Sequence, residues 1–113
     1  MLTIEKLREF GADTDDGLAR CLNNETFYLR LVDKAMQDPS FDRLEEAVGQ
    51  KDLDRAFDFA HALKGVMGNL ALTPIEKPVR EITELLRSRT DTDYAPLLNE
   101  IRIKKDELTE MLR

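Results

Sequence analysis

The chain is poor in the residues that carry most recognisable chemistry. Its 113 residues include one histidine, one cysteine and no tryptophan. A lone cysteine, Cys21, permits no internal disulfide, so a reduced, cytoplasmic setting is expected. One histidine and one cysteine make no ligand cluster, and no metal is expected. The strings G-x-x-x-x-G-K and G-x-S-x-G are absent, which removes the usual phosphate loop and the serine nucleophile elbow, and no cofactor is expected. No apolar run approaches the roughly 18 residues of a membrane span. The opening Met1-Leu2-Thr3-Ile4-Glu5-Lys6 lacks the apolar core of a signal peptide. Basic residues are in deficit, 17 against 23 acidic ones, for a net charge of −6. Nucleic acid and anionic membrane surfaces are therefore excluded as expected partners, since both need a basic face. Glycine and proline are sparse, at five and four. No strand alternation, internal repeat or low-complexity linker is visible.

What remains is helix-rich. The chain is 42% hydrophobic and 35% charged, the profile of an ordered domain. Its length suits one domain, 1–113, with one modest core. Thr3 can cap a short helix that Gly11 stops. Asp13-Thr14-Asp15-Asp16-Gly17 reads as a turn into a brief helix around Leu18 to Leu22. Asn23 or Asn24 caps the next, with Phe27, Leu31 and Ala35 inward, ending before Pro39. Ser40 starts another, with Phe41, Leu44 and Val48 inward. Gly49 and Asp52 break the chain and cap the helix that follows. Thr73-Pro74-Ile75-Glu76 resembles a capping box. Ile75, Val79, Ile82 and Leu86 then form a stripe, with Pro78 able to kink or delay that helix. Asp91-Thr92-Asp93 opens the last helix, with Leu97, Ile101 and Leu108 inward. Short connections favour antiparallel neighbours. The expected fold is an all-α antiparallel four-helix bundle. Its members are 24–49 (open to a break at Pro39), 52–71, 75–88 and 94–112, with two short N-terminal helices covering one end. Charge runs such as Lys104-Lys105-Asp106-Glu107 read as solvated surface.

The most informative segment is Phe59-Ala60-His61-Ala62-Leu63-Lys64-Gly65-Val66-Met67-Gly68-Asn69-Leu70-Ala71. Ala56, Ala60, Leu63, Met67 and Leu70 repeat at spacings of four and three, the pattern of a buried helical stripe. At about 100° per residue, His61 points roughly 140° away from that stripe. Gly65 and Gly68 lie along the same outward line. Lys64 and Phe57 lie on its flanks, and Lys64 is near enough to share an anion with His61. Each glycine inside a helix loses about 0.5–1 kcal/mol relative to alanine. Close approach by a partner is one reason to keep two of them; an early helix end capped by glycine is the other.

A Cys21–His61 dyad would need direct contact, and Cys21 sits in an apolar pattern with Leu18 and Leu22 that suggests burial. Histidine acting alone as a nucleophile remains. A phosphoryl group is the natural electrophile, with Lys64 offsetting charge on the transferred oxygens.

His61-Ala62-Leu63-Lys64-Gly65, followed by small residues and Leu70, resembles the motif of histidine-containing phosphotransfer (HPt) domains. The likeness in length and helical layout spans nearly the whole chain. It implies a phosphocarrier, not an enzyme with its own turnover. Such a carrier accepts a phosphoryl group on His61 from the aspartyl phosphate of a receiver domain and passes it to another receiver in a His–Asp relay. By resemblance Lys64 contacts the phosphoryl group and Gly65, with Gly68 beside it, leaves room for the partner. Response-regulator receivers and hybrid sensor histidine kinases are the implied partners, and a monomer the expected state. Phe57 is a candidate for an apolar docking rim, against plain partial burial. Asp58, one turn before His61, is a candidate for orienting the imidazole, against a solvated charge. Ala71 stands where the family often has glycine, from which a small change in the turn is expected. Two other readings remain: a non-phosphorylated helical adaptor that binds a signalling partner, and a phosphoacceptor module for a kinase acting in trans.

Overall fold

Four of the seven helices start at a side-chain cap. The computed structural model describes residues 1–113 and contains seven helices and no strand: α1 Ile4–Phe10, α2 Thr14–Arg20, α3 Glu25–Met36, α4 Ser40–Gly49, α5 Leu53–Asn69, α6 Thr73–Arg87 and α7 Ala95–Met111. The side chains of Thr3, Asp13, Asn24 and Asp52 accept the backbone N–H groups of Lys6, Asp16, Phe27 and Arg55. Each satisfies one donor that a helix start leaves orphaned.

The bundle is antiparallel, because the connections 50–52 and 70–72 are too short for anything but a reversal. α5 lies at its centre, packed most extensively on α6 and α4, and α7 closes against α6. The inward stripe of α5 is Ala56, Ala60, Leu63 and Met67, all fully buried. It meets Ile75, Val79, Ile82 and Leu86 of α6, also buried. Burial of each larger side chain contributes about 1.5–3 kcal/mol. The fourth member is two helices in tandem, α3 and α4, split at Pro39, where the Asp38 carboxylate accepts the Ser40 N–H at 2.8 Å. α1 and α2 fold over the end of the bundle at which α5 stops.

Several expectations need correction. α2 begins at Thr14, directly after its Asp13 cap, and not around Leu18. Leu22 falls beyond it with φ 57 and is 91% exposed. α3 buries Tyr28, Val32, Ala35 and Met36, while Phe27 is 45% exposed and Leu31 only partly covered. The face is rotated by one residue because the Tyr28 hydroxyl reaches across to donate to the Leu70 carbonyl at 2.7 Å. In α4 Ala47 is buried in preference to Val48. Gly49 stays helical, and Lys51 takes the left-handed turn at φ 58. The capping box at Thr73 does not form. Thr73 is already helical, and the cap position belongs to Leu72, which is fully buried and carries no side-chain acceptor. α6 runs through Pro78 without interruption. A proline there removes only the bond to the Pro74 carbonyl near the helix start.

Candidate functional site

α5 continues past both Gly65 and Gly68 to Asn69, so neither glycine is its cap. It closes in a Schellman turn: the Ala71 N–H donates to the Gly68 carbonyl at 3.1 Å and the Leu72 N–H to the Met67 carbonyl at 3.0 Å. Ala71 adopts φ 55 there. The turn is thus the one a glycine makes without strain, with alanine carrying the strain instead.

His61 is exposed midway along this helix. Its ring stacks on Phe57, one turn earlier, with centroids 5.5 Å apart and planes 21° from parallel. The Phe57 ring also receives the Arg87 guanidinium, 4.9 Å from its centroid. The aromatic neighbour of the imidazole is therefore half-buried and pinned by a cation. The structure puts Phe57, not the Asp58 carboxylate, against the imidazole; Asp58 faces solvent.

Lys64 is half-buried, with its Nζ 3.8 Å from Glu84 Oε1. Arg87 Nε holds the other oxygen of Glu84 at 3.3 Å. The Lys64 ammonium is thus positioned by a carboxylate from α6, an exposed pairing worth well under ~1 kcal/mol, which a dianionic phosphoryl group can displace.

Beyond the histidine, α5 presents bare backbone. A Cβ added to Gly65 or Gly68 meets nothing within 4 Å. No neighbour inside the protein requires either glycine. The two form the floor of an open cleft of about 340 Å³ that His61 and Lys64 enter from one end. Arg20 of α2, Asn69 and Glu76 close the other end. Cys21 is buried, so it forms no dyad with the exposed imidazole.

A family model for the Hpt domain matches residues 31–113. The chain belongs to the Hpt domain family. Hpt domains are phosphocarriers, not enzymes, and serve histidine phosphotransfer in phosphorelays with receiver domains and kinases. No curated protein and no solved structure matches the chain. The Hpt-matched segment contains the second half of α3, all of α4 to α7, and therefore the only histidine. Residues 1–30 lie outside it. No helix of this Hpt chain is long and apolar enough to cross a membrane.

Sequence reasoning brought His61, Lys64, Gly65, Gly68 and Phe57 to one face, as the helical spacing requires. It missed Glu84 and Arg87, which reach the site from α6, and Arg20, Asn69 and Glu76 around the cleft. Glu84 and Arg87 sit in a run of polar residues whose register against α5 no local pattern reveals. Arg20 lies 41 positions before His61, on a helix outside the matched segment.

Proposed function

We propose that this chain, as a single Hpt unit over residues 1–113, carries phosphoryl groups on His61 between receiver domains of a His–Asp phosphorelay. One observation carries the reading. The family works through a histidine, and this chain has one histidine in 113 residues, exposed on the central helix.

The chemistry follows from the groups present. A ring-nitrogen lone pair of neutral His61 attacks the phosphorus of a receiver's aspartyl phosphate. The N–P bond forms as the P–O bond to the aspartyl carboxylate breaks. The carboxylate leaves with the bonding pair, and the proton on the other ring nitrogen is free to pass to solvent. The return step runs the same path with a second receiver. Lys64 offsets charge on the equatorial oxygens. It leaves Glu84 to do so, and Arg87 keeps that carboxylate partnered. Phe57 restricts the imidazole to one orientation by stacking, which favours in-line attack. Gly65 and Gly68 let the receiver's backbone approach α5 closely, with Asp58 at the margin of that surface. The setting is cytoplasmic, the chain acts as a monomer, and the donor is a response regulator or the receiver of a hybrid sensor kinase.

Incubation with a phosphorylated receiver tests the reading. Label is expected on the chain, lost in acid and stable in base. His61→Gln is expected to take none. Equal labelling of His61→Gln and wild type overturns the site, and absence of label from every receiver and kinase tried favours a binding adaptor.

A further inference from the structure

One cation of the His61 cleft has no part in this scheme. Arg20 ends α2, outside the Hpt-matched residues. Its guanidinium is held on two sides. Nε donates to Asp16 Oδ2 at 3.1 Å, one turn back on α2, and Nη1 donates to Asn69 Oδ1 at 3.4 Å, at the end of α5. Nη2 has no hydrogen-bond or ion-pair partner.

The placement of α2 depends on tertiary contacts. The Asp13 N–H donates to the Ala71 carbonyl at 3.0 Å, tying the start of α2 to the turn after α5. Gly17 sits on the Tyr28 ring so closely that a Cβ there would lie 2.3 Å from the phenolic oxygen. Tyr28 in turn holds the Leu70 carbonyl. Arg20 is thus brought to the cleft by a chain of fixed contacts, not by a swinging terminus.

Its bearing on His61 follows from helix geometry. Lys64, at i+3, lies about 60° to one side of the His61 direction, and Asn69, at i+8, lies about 80° to the other and about 12 Å further along the axis, a span the Arg20 side chain has to turn back over. Gly65 and Gly68 lie between them with no side chain to obstruct an arm that leaves Asn69. A guanidinium offers two parallel donors to two phosphoryl oxygens, which a lysine ammonium cannot. The other charges around the cleft are Asp16, which Arg20 already faces, Lys64, and Glu76, whose carboxylate is 3.4 Å from Arg80.

We infer that Arg20 is a second phosphoryl-binding cation: with a phosphoryl group on His61, its guanidinium leaves Asn69, crosses the two glycines and binds the phosphoryl oxygens from the side opposite Lys64. The N-terminal helices thereby complete the site instead of only covering the bundle end. The inference rests on His61 being the phosphoacceptor.

Phosphoramidate tests it on the full chain without a receiver. A ring nitrogen of His61 attacks phosphorus, the P–N bond of the reagent breaks, and ammonia leaves with the electron pair and takes up the ring's proton as ammonium. ³¹P NMR then gives the loading rate and the pH midpoint at which the attached phosphoryl group gains its proton. In Arg20→Gln the midpoint is expected to rise by about 0.5 unit or more, because a cation that favours the dianion is gone. Loading is expected to slow about fivefold. Arg20→Lys, keeping the charge but not the fork, falls between. Asp16→Asn, which frees the guanidinium from a competing carboxylate, lowers the midpoint and keeps the inference testable should Arg20→Gln fold poorly. Midpoints unmoved in both Arg20→Gln and Asp16→Asn overturn the inference. If His61→Gln takes no label in the same experiment, the phosphocarrier reading survives that result; if it labels like wild type, the phosphocarrier reading is the one that fails.

Discussion

At the scale of single residues, Gly65 and Gly17 are opposites. Gly65 faces open space, so Gly65→Ala is expected to raise stability by about 0.5–1 kcal/mol in urea unfolding. The same change is expected to slow transfer from a receiver, because the added methyl stands on the proposed docking surface. Gly17 has the Tyr28 ring against it. Gly17→Ala is expected to destabilise by about 1–3 kcal/mol through overpacking, read in the same unfolding curves. Tyr28 sets a pH limit. Burial first, then the nearby Cys21, Asp13 and Asp16, push its hydroxyl from 10.0 up to about 12. The folded state therefore keeps this proton where the unfolded chain has lost it. Its contribution is complete below about pH 10 and disappears as pH rises toward about 12. Urea midpoints taken across that window are expected to fall more steeply for wild type than for Tyr28→Phe. At neutral pH Tyr28→Phe is expected to lose about 1–3 kcal/mol, since the Leu70 carbonyl is left without its partner.

At the scale of elements, the helix ends explain which boundaries could be read. α1 ends in glycine, Gly11 at φ 106, and that stop was legible. The turns after α2, α4, α5 and α6 put Leu22, Lys51, Ala71 and Arg89 at φ between 51 and 58. No local preference of these residues announces a left-handed turn. They are held there by paired carbonyls, as in the Lys51 N–H to Val48 and Asp52 N–H to Ala47 bonds of 3.0 and 2.9 Å. Lys51→Gly and Ala71→Gly are each expected to stabilise by about 1 kcal/mol. Gly49→Ala, two residues before Lys51 and helical with open space at its Cβ, is expected to do the same in the opposite chemical direction. Thermal melts of the three variants check this, and a loss of stability in Lys51→Gly would count against the strain assigned to that turn.

For the whole molecule, the question is what the first 30 residues contribute. Leu7 and Tyr28 are fully buried and belong to the same hydrophobic cluster as Leu63 and Met67 of α5. The carbonyls of Leu70 and Ala71, beyond the last turn of α5, find their donors in Tyr28 and Asp13. A chain cut to the family-matched residues 31–113 is therefore expected to melt lower and to exchange the amides of Gly68 to Leu72 faster. Hydrogen exchange resolved by residue checks this. Protection at Gly68 to Leu72 unchanged by the cut would show that the bundle holds the end of α5 unaided.

The sequence by itself determined the outward line of His61, Gly65 and Gly68 and the flanking places of Lys64 and Phe57, because helical spacing is a local rule and the apolar stripe opposite them is unbroken. It also determined the buried stripe of α6 and the caps at Thr3 and Asp52, and narrowed the cap of α3 to Asn23 or Asn24, because side chain and backbone lie within a few residues there. Tertiary structure alone decided that Glu84 holds Lys64, that Arg87 covers Phe57, that Tyr28 replaces Phe27 on the inner face of α3, and that Arg20 enters the cleft. Those contacts depend on how one helix is rotated and shifted against another. That register is set by side chains distant in the chain, acting together to fill a shared interior.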